Sequence, residues 1–200
     1  MAFRLLLLLT LFLMLSPHSF ADCNSDAESI KSAISKVGVY RQIQNIRDQD
    51  GAIKTFIYDT NDIDRARALN LGSSGRAGIF VIVGSRMWNS DKLGQYVENT
   101  TSSEASIARG VLQSKKFKID ITNGEIQCSN ETAEFGQVYE KLAWTVKEKA
   151  DTIKYELWAD PQSHLPLRQT WDYKGIVSIA DSKAVIIYIY SNELSISQPQ

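Results

Sequence analysis

The sequence predicts an α+β chain, mostly β: a strongly curved antiparallel sheet with helices covering its concave face. Three observations predict it. Many short segments alternate apolar and polar residues, the period of a strand with one buried face. Turn signals such as Asn123-Gly124 and Asp160-Pro161 separate them at short intervals. Only two segments, Ser25 to Val37 and Ser102 to Gln113, carry apolar residues at helical spacing. Consecutive hairpins with a helix inserted midway suit a curved sheet, and a closed barrel is the competing arrangement.

The first element is a leader. Met1 to Arg4 carries one positive charge, and Leu5 to Leu15 is apolar apart from Thr10. Pro17 breaks the run, and Ser19-Phe20-Ala21 places small residues three and one before a cut. This is the layout of a secretory signal peptide over residues 1–21. The run is shorter than the roughly 20 residues that a membrane-spanning helix requires. Asp22 stands directly before Cys23, where a lipidated cysteine would need a small residue. The expectation is a mature periplasmic chain of residues 22–200, a single domain with no membrane anchor. Its longest apolar run, Ala184 to Tyr190, is strand-sized.

Charge excludes some partners. The formal net charge is -1, and loss of Arg4 with the leader makes it -2. Nothing in that balance draws nucleic acid or an anionic membrane surface. The two cysteines of the mature chain, Cys23 and Cys128, favour a bridge in an oxidising compartment, with two free thiols as the alternative. Closing a loop of roughly 100 residues is worth up to about 4–5 kcal/mol in the chain-entropy model.

In order, Ser25 to Val37 predicts a helix capped by Ser25 with Glu28 as return partner, and Ile30, Ala33, Ile34 and Val37 share one face. Val39 to Ile46 and Ala52 to Tyr58 predict a hairpin around Asp48-Gln49-Asp50-Gly51. Asp59 to Gly78 gives no clear element. Ile79 to Val83, Arg86 to Asn89 and Gln95 to Glu98 follow as short strands. The second helix, Ser102 to Gln113, has capping-box spacing at Thr101 and Glu104 and a stripe of Ala105, Ile107, Ala108, Val111 and Leu112. Gly110 within it costs about 1 kcal/mol relative to Ala. Phe117, Ile119 and Ile121 alternate as a strand leading to the Asn123-Gly124 turn. Gln137 to Val146, Thr152 to Ala159, Leu167 to Tyr173, Ile176 to Ala180 and Lys183 to Tyr190 finish the sheet.

The residues offer little catalytic chemistry. The mature chain has one histidine, His164, in the turn Pro161 to Pro166, so a metal site built on several histidines is excluded. An exposed imidazole is its simplest reading. No Gly-rich phosphate loop, H-E-x-x-H or G-x-S-x-G occurs, and spacing alone does not pair Asp160 with Glu156. Neither an enzyme activity nor a cofactor is expected. The aromatic residues are more informative, because Trp88, Trp144, Trp158 and Trp171 all fall in predicted strands. They either pack the sheet against the helices or line an apolar surface that holds an acyl chain or apolar peptide. On the second reading Trp88, Trp144 and Trp158 line the cavity, and Ile107, Val111 and Leu112 form its lid.

Two stretches carry a family resemblance. One is Gly84-Ser85-Arg86-Met87-Trp88-Asn89 leading to Gly94-Gln95-Tyr96; the other is Tyr155-Glu156-Leu157-Trp158-Ala159-Asp160-Pro161 followed by Leu165-Pro166-Leu167-Arg168. They resemble the LolA/LolB-like superfamily of periplasmic lipoprotein carriers and the related sensor domain of periplasmic anti-sigma regulators. Tyr188 to Pro199 is similar to that family's last strand and tail. The resemblance implies an unclosed β-barrel with helices as a lid, lipid or lipoprotein acyl chains as ligands, and no cofactor. The carriers' inward arginine beside proline has no match; Arg65, Arg67 and Arg76 lie in that region outside any motif. The expected function is a non-catalytic periplasmic binding or carrier protein. The alternative is a protein-interaction or envelope-stress sensor module using the same surface.

Overall fold

A computed structural model describes residues 20–47, 50–61, 63–71, 80–90, 94–99, 110, 113, 116–119, 125–148, 151–174 and 182–199. The leader therefore lies largely outside the described residues. So do the predicted strand Ile176 to Ala180 and most of the second helix, of which Gly110 and Gln113 are helical.

The first helix, α1, spans Phe20–Lys36. It begins earlier than the predicted cap, so Ser25 sits within the helix. Cys23, Ala27, Ile30 and Ile34 are buried at spacings of four, three and four, one continuous face. Lys36 in the last turn complements the negative end of the helix dipole.

Eleven strands follow among the described residues: β1 Tyr40–Arg47, β2 Ile53–Thr60, β3 Arg65–Leu71, β4 Phe80–Val83, β5 Arg86–Ser90, β6 Tyr96–Asn99, β7 Gln127–Thr132, β8 Val138–Glu148, β9 Asp151–Ala159, β10 Pro166–Lys174 and β11 Ser182–Tyr190. They form one antiparallel sheet in the order β6-β5-β4-β3-β2-β1-β11-β10-β9-β8-β7. The first and last strands pair at its centre, from Tyr40 opposite Tyr190 to Arg47 opposite Lys183. The chain thus winds outward by hairpins to β6, crosses to the far edge at β7, and winds inward to β11. An open sheet of this width accumulates twist and fits a curved shape rather than a flat one. Its ends, β6 and β7, do not pair with each other, so it is not a closed barrel.

The unassigned stretch after Asp59 contains β3. Its buried side chains among the described residues are alanines: Ala66 and Ala68 lie between neighbouring strands, a weak signal beside Val or Ile. Of the predicted strand Phe117 to Ile121, residues 117–119 are not strand, and Ile121 lies outside the described residues. Phe117 to Ile119 is irregular, and its alternation reflects Phe117 and Ile119 packing into the core while Lys118 stays exposed.

Sheet parity separates two faces. On one, α1 packs with Tyr40, Leu142, Trp144, Leu157, Ile186 and Tyr188 into the main core. Cys23 and Cys128 are bridged, with Cα atoms 5.3 Å apart, which ties α1 to edge strand β7. On the opposite face, the tail after β11 returns across β4 and β5. Ile196 is buried against Val81 and Trp88, and Arg65 Nη1 donates to the Ile196 carbonyl at 2.9 Å.

Candidate functional site

The candidate site is a recess of about 310 Å³ on the α1 face. Register builds it in rungs. Trp144, Tyr155, Trp171 and Ala184 face one another across β8, β9, β10 and β11. The adjacent rung is Leu142, Leu157, Gln169, Ile186 and, on β1, Gln44. Because side chains alternate along each strand, all of these project to one side. Val146, Ile153, Gln42 and Tyr188 complete the sheet wall, and Lys116, Phe117 and Lys118 supply the other side.

Aromatic contacts shape the wall. The Trp144 and Tyr155 rings stack with centroids 5.0 Å apart and planes 10° apart. Phe117 meets Tyr188 edge-on at 5.9 Å. The polar groups of the floor are paired among themselves. Tyr188 Oη donates to Gln169 Oε1 at 2.6 Å, and Gln42 Nε2 donates to Tyr40 Oη at 3.2 Å. One donor departs from this pattern. Trp144 is 4% exposed, and its Nε1 has no hydrogen-bond partner among the described residues.

The three predicted cavity tryptophans do not come together. Trp144 is in the recess wall. Trp158 and Trp88 lie on the opposite face, because register aligns Trp158 with Arg168 and Ile187, and Trp88 with Val81 and Arg67. Trp158 has Lys141 Nζ and Arg168 Cζ each 4.9 Å from its ring centroid, and its Nε1 donates to Glu131 Oε2 at 3.0 Å. Trp88 is covered by Ile196 and approached by Arg86 at 4.9 Å. The expected lid residues Ile107, Val111 and Leu112 lie outside the described residues. Sequence reasoning counted Trp171 among the strand tryptophans but not in the cavity set, and did not place Tyr155 and Gln169 at the site, although they alternate with Trp158 and Arg168. The signal was parity relative to Trp144, readable once register is known.

Other charged groups are structural. Asp59 is fully buried on the opposite face and bound by Arg41 Nε at 2.6 Å and Arg67 Nη2 at 2.5 Å. Burial pushes its carboxyl up, but hydrogen bonds from the two guanidinium groups outweigh that and hold it below the usual range. Arg65 and Arg67 therefore serve the face away from the recess. His164 is not simply exposed: its Nδ1 lies 2.9 Å from Glu140 Oε2. Burial, reinforced by the charge of Asp26, pushes Glu140 upward against the opposing His164 bond. Asp160 does not pair with Glu156. It accepts from the Gln162 and Ser163 amides, whereas Glu156 binds Lys141. Among the described residues, no group of three or more His, Cys, Asp and Glu side chains is arranged to hold a metal.

No protein-family model and no curated protein sequence matches the chain. Solved structures do. The crystal structure of the lipoprotein LppX of Mycobacterium tuberculosis aligns over 90% of this chain and 100% of its own, with a TM-score of 0.56 at 11% identity. The fold is like that of LppX. A putative outer-membrane lipoprotein-sorting protein domain from Vibrio parahaemolyticus covers 88% of this chain and 95% of its own at 10% identity, with a TM-score of 0.40. A LolA superfamily protein from Nitrosomonas europaea covers 86% and 97% at 12% identity, with a TM-score of 0.32. At 11% identity the likeness to LppX speaks to the fold alone. Within this fold, the recess is built by the inward meander β8–β11 together with β1.

Proposed function

We propose that the protein is a non-catalytic binding or carrier protein of the periplasm that holds an acyl chain of a lipid or lipoprotein. The observation that carries this reading is the recess on the α1 face of the sheet, walled by Trp144, Tyr155, Trp171, Ile153 and Ile186 with Phe117 across from them. Its volume is near the lower end of ligand pockets, about 300–1,000 Å³. On this reading the sequence's apolar stripe Ile107, Val111 and Leu112 is assigned the role of lid. The structural likeness to a lipoprotein supports a cell-envelope setting, as does the leader read at residues 1–21.

Native mass spectrometry of protein purified from a periplasmic fraction, before and after solvent extraction, tests it. The expected result is a bound acyl lipid that leaves on extraction and is poorly retained by Val111→Asp or Leu112→Asp. A clean mass, with no uptake of a fluorescent fatty acid by the extracted protein, overturns it.

A protein-interaction or sensor role is favoured by a different observation. On the opposite face Ile187 and Ile189 are 36% and 41% exposed, and Ile187 adjoins Ile43 and Ile57 across β11, β1 and β2. An exposed apolar patch of this kind suits a protein partner.

A further inference from the structure

We propose that the ligand is an anionic acyl amphiphile, whose ester or carboxylate carbonyl oxygen accepts a hydrogen bond from Trp144 Nε1 and whose head sits beside Lys116 and Lys118. This rests on the acyl-chain reading of the recess and adds a polar anchor and a head-group charge to it.

The argument begins with the orphaned donor. A buried N–H without an acceptor costs about 1–3 kcal/mol, so such groups are rare in folded proteins. Trp144 Nε1 is the buried side-chain nitrogen or oxygen with no partner among the described residues. Nearby polar groups show what a satisfied floor looks like, with Tyr188 on Gln169 and Gln42 on Tyr40. The unsatisfied atom belongs to a residue of the recess wall, held in place by stacking on Tyr155. An indole donates and does not accept, so the missing group is an acceptor. A hydrocarbon chain alone does not supply one. The first oxygen of an acyl group does.

The second observation is charge. Lys116 and Lys118 are exposed side chains lining the recess, and neither has an ion-pair partner among the described residues. No carboxylate lines the same recess. An amphiphile with its chain against Tyr155 and Ile186 would meet two cations with its head, which favours phosphate or carboxylate over a choline-type head.

The test compares two lysolipids that differ in one oxygen, below their micellar concentrations: 1-palmitoyl-lysophosphatidylglycerol and its 1-O-hexadecyl ether counterpart. Palmitate forms a third arm, and tighter palmitate binding identifies a free carboxylate as the source of the acceptor. Wild type is expected to bind the ester about three- to tenfold tighter than the ether, the worth of one hydrogen bond. Trp144→Phe keeps an aromatic ring but no donor, and is expected to bind both alike. The indole N–H resonance missing from the Trp144→Phe spectrum is expected to shift with the ester and not with the ether. Equal affinities in wild type with an unmoved indole resonance overturn the anchor while leaving acyl binding intact. An ester preference that persists in Trp144→Phe does the same. Failure of wild type to bind any of the three amphiphiles instead overturns the acyl reading itself. For the head group, Lys116→Glu with Lys118→Glu is expected to abolish a several-fold preference for lysophosphatidylglycerol over lysophosphatidylcholine. No such preference in wild type, or its persistence in the double variant, overturns the head-group assignment.

Discussion

His164 Nδ1 lies 2.9 Å from Glu140 Oε2, joining the β9–β10 turn to the buried side of β8. His164 has a φ of 55°, a left-handed conformation that asparagine, aspartate and histidine adopt more readily than other non-glycine residues. Glu140 is 8% exposed and also feels Asp26 of α1. Three elements therefore meet at one carboxyl.

That carboxyl makes stability depend on pH. Burial, then the Asp26 charge, raise its folded pKa above the ordinary 4.5, despite the His164 bond. A raised acid contributes its stability below the unfolded pKa and loses it as pH rises through the folded pKa. Glu140→Gln is therefore expected to gain on wild type as pH rises from about 4 to 7.5, because the amide never ionises. Denaturation midpoints at the two ends of that range check it; a constant difference contradicts it.

Asp59 has the opposite sign. Burial opposes its ionisation, but Arg41 and Arg67 hold its pKa below the usual 3.8. Its stabilisation is present above the unfolded pKa and is lost as pH falls through the folded one. Asp59→Asn leaves two cations facing each other and is expected to cost about 3 kcal/mol, the low end for a broken buried pair, since both arginines reach water. Urea unfolding at neutral pH measures this, and the gap to wild type is expected to narrow in acid.

The bridge between Cys23 and Cys128 closes a sequence separation of 105 residues. Cys23→Ser with Cys128→Ser is expected to lower stability by about 4 kcal/mol. Amide hydrogen exchange is expected to rise first in α1 and β7, the two elements it joins. Uniform protection in the variant would contradict a role in holding α1.

The tail acts as a strap over Trp88. Ile196 is 2% exposed against Val81 and Trp88. Ile196→Ala is expected to cost about 2–4 kcal/mol as a buried truncation. Deleting residues 194–200 is expected to expose one tryptophan to acrylamide quenching, with no effect in a Trp88→Phe background.

Much of this was readable along the chain. Period-two alternation located β2, β8 and β9, and apolar or β-branched runs between turn signals located β1, β4, β5, β6, β10 and β11, each within a few residues. The stripe Ile30, Ile34 and Val37 located α1, and two cysteines with one expected compartment pointed to the bridge. β3 escaped because alanine against arginine gives little apolar contrast. Phe117 to Ile119 misled because alternate burial also arises when an irregular segment lies on a core.

The site was less legible. Trp88, Trp144 and Trp158 look equivalent in sequence, each an aromatic residue in a strand. Local pattern determined that each side chain projects from a sheet, and that its neighbours project the other way. Only the tertiary structure decided which way was toward α1, because parity is relative within a strand and becomes absolute through cross-strand register. Pairing of β1 with β11, nearly the full chain apart, connects the two meanders and puts Trp144 with Gln44 and Ile186. The same register turns Trp158 outward to Lys141 and Arg168 and leaves Trp88 to a tail more than a hundred residues away. Secondary structure follows from local periodicity; the walls of a recess follow from contacts that no local stretch contains.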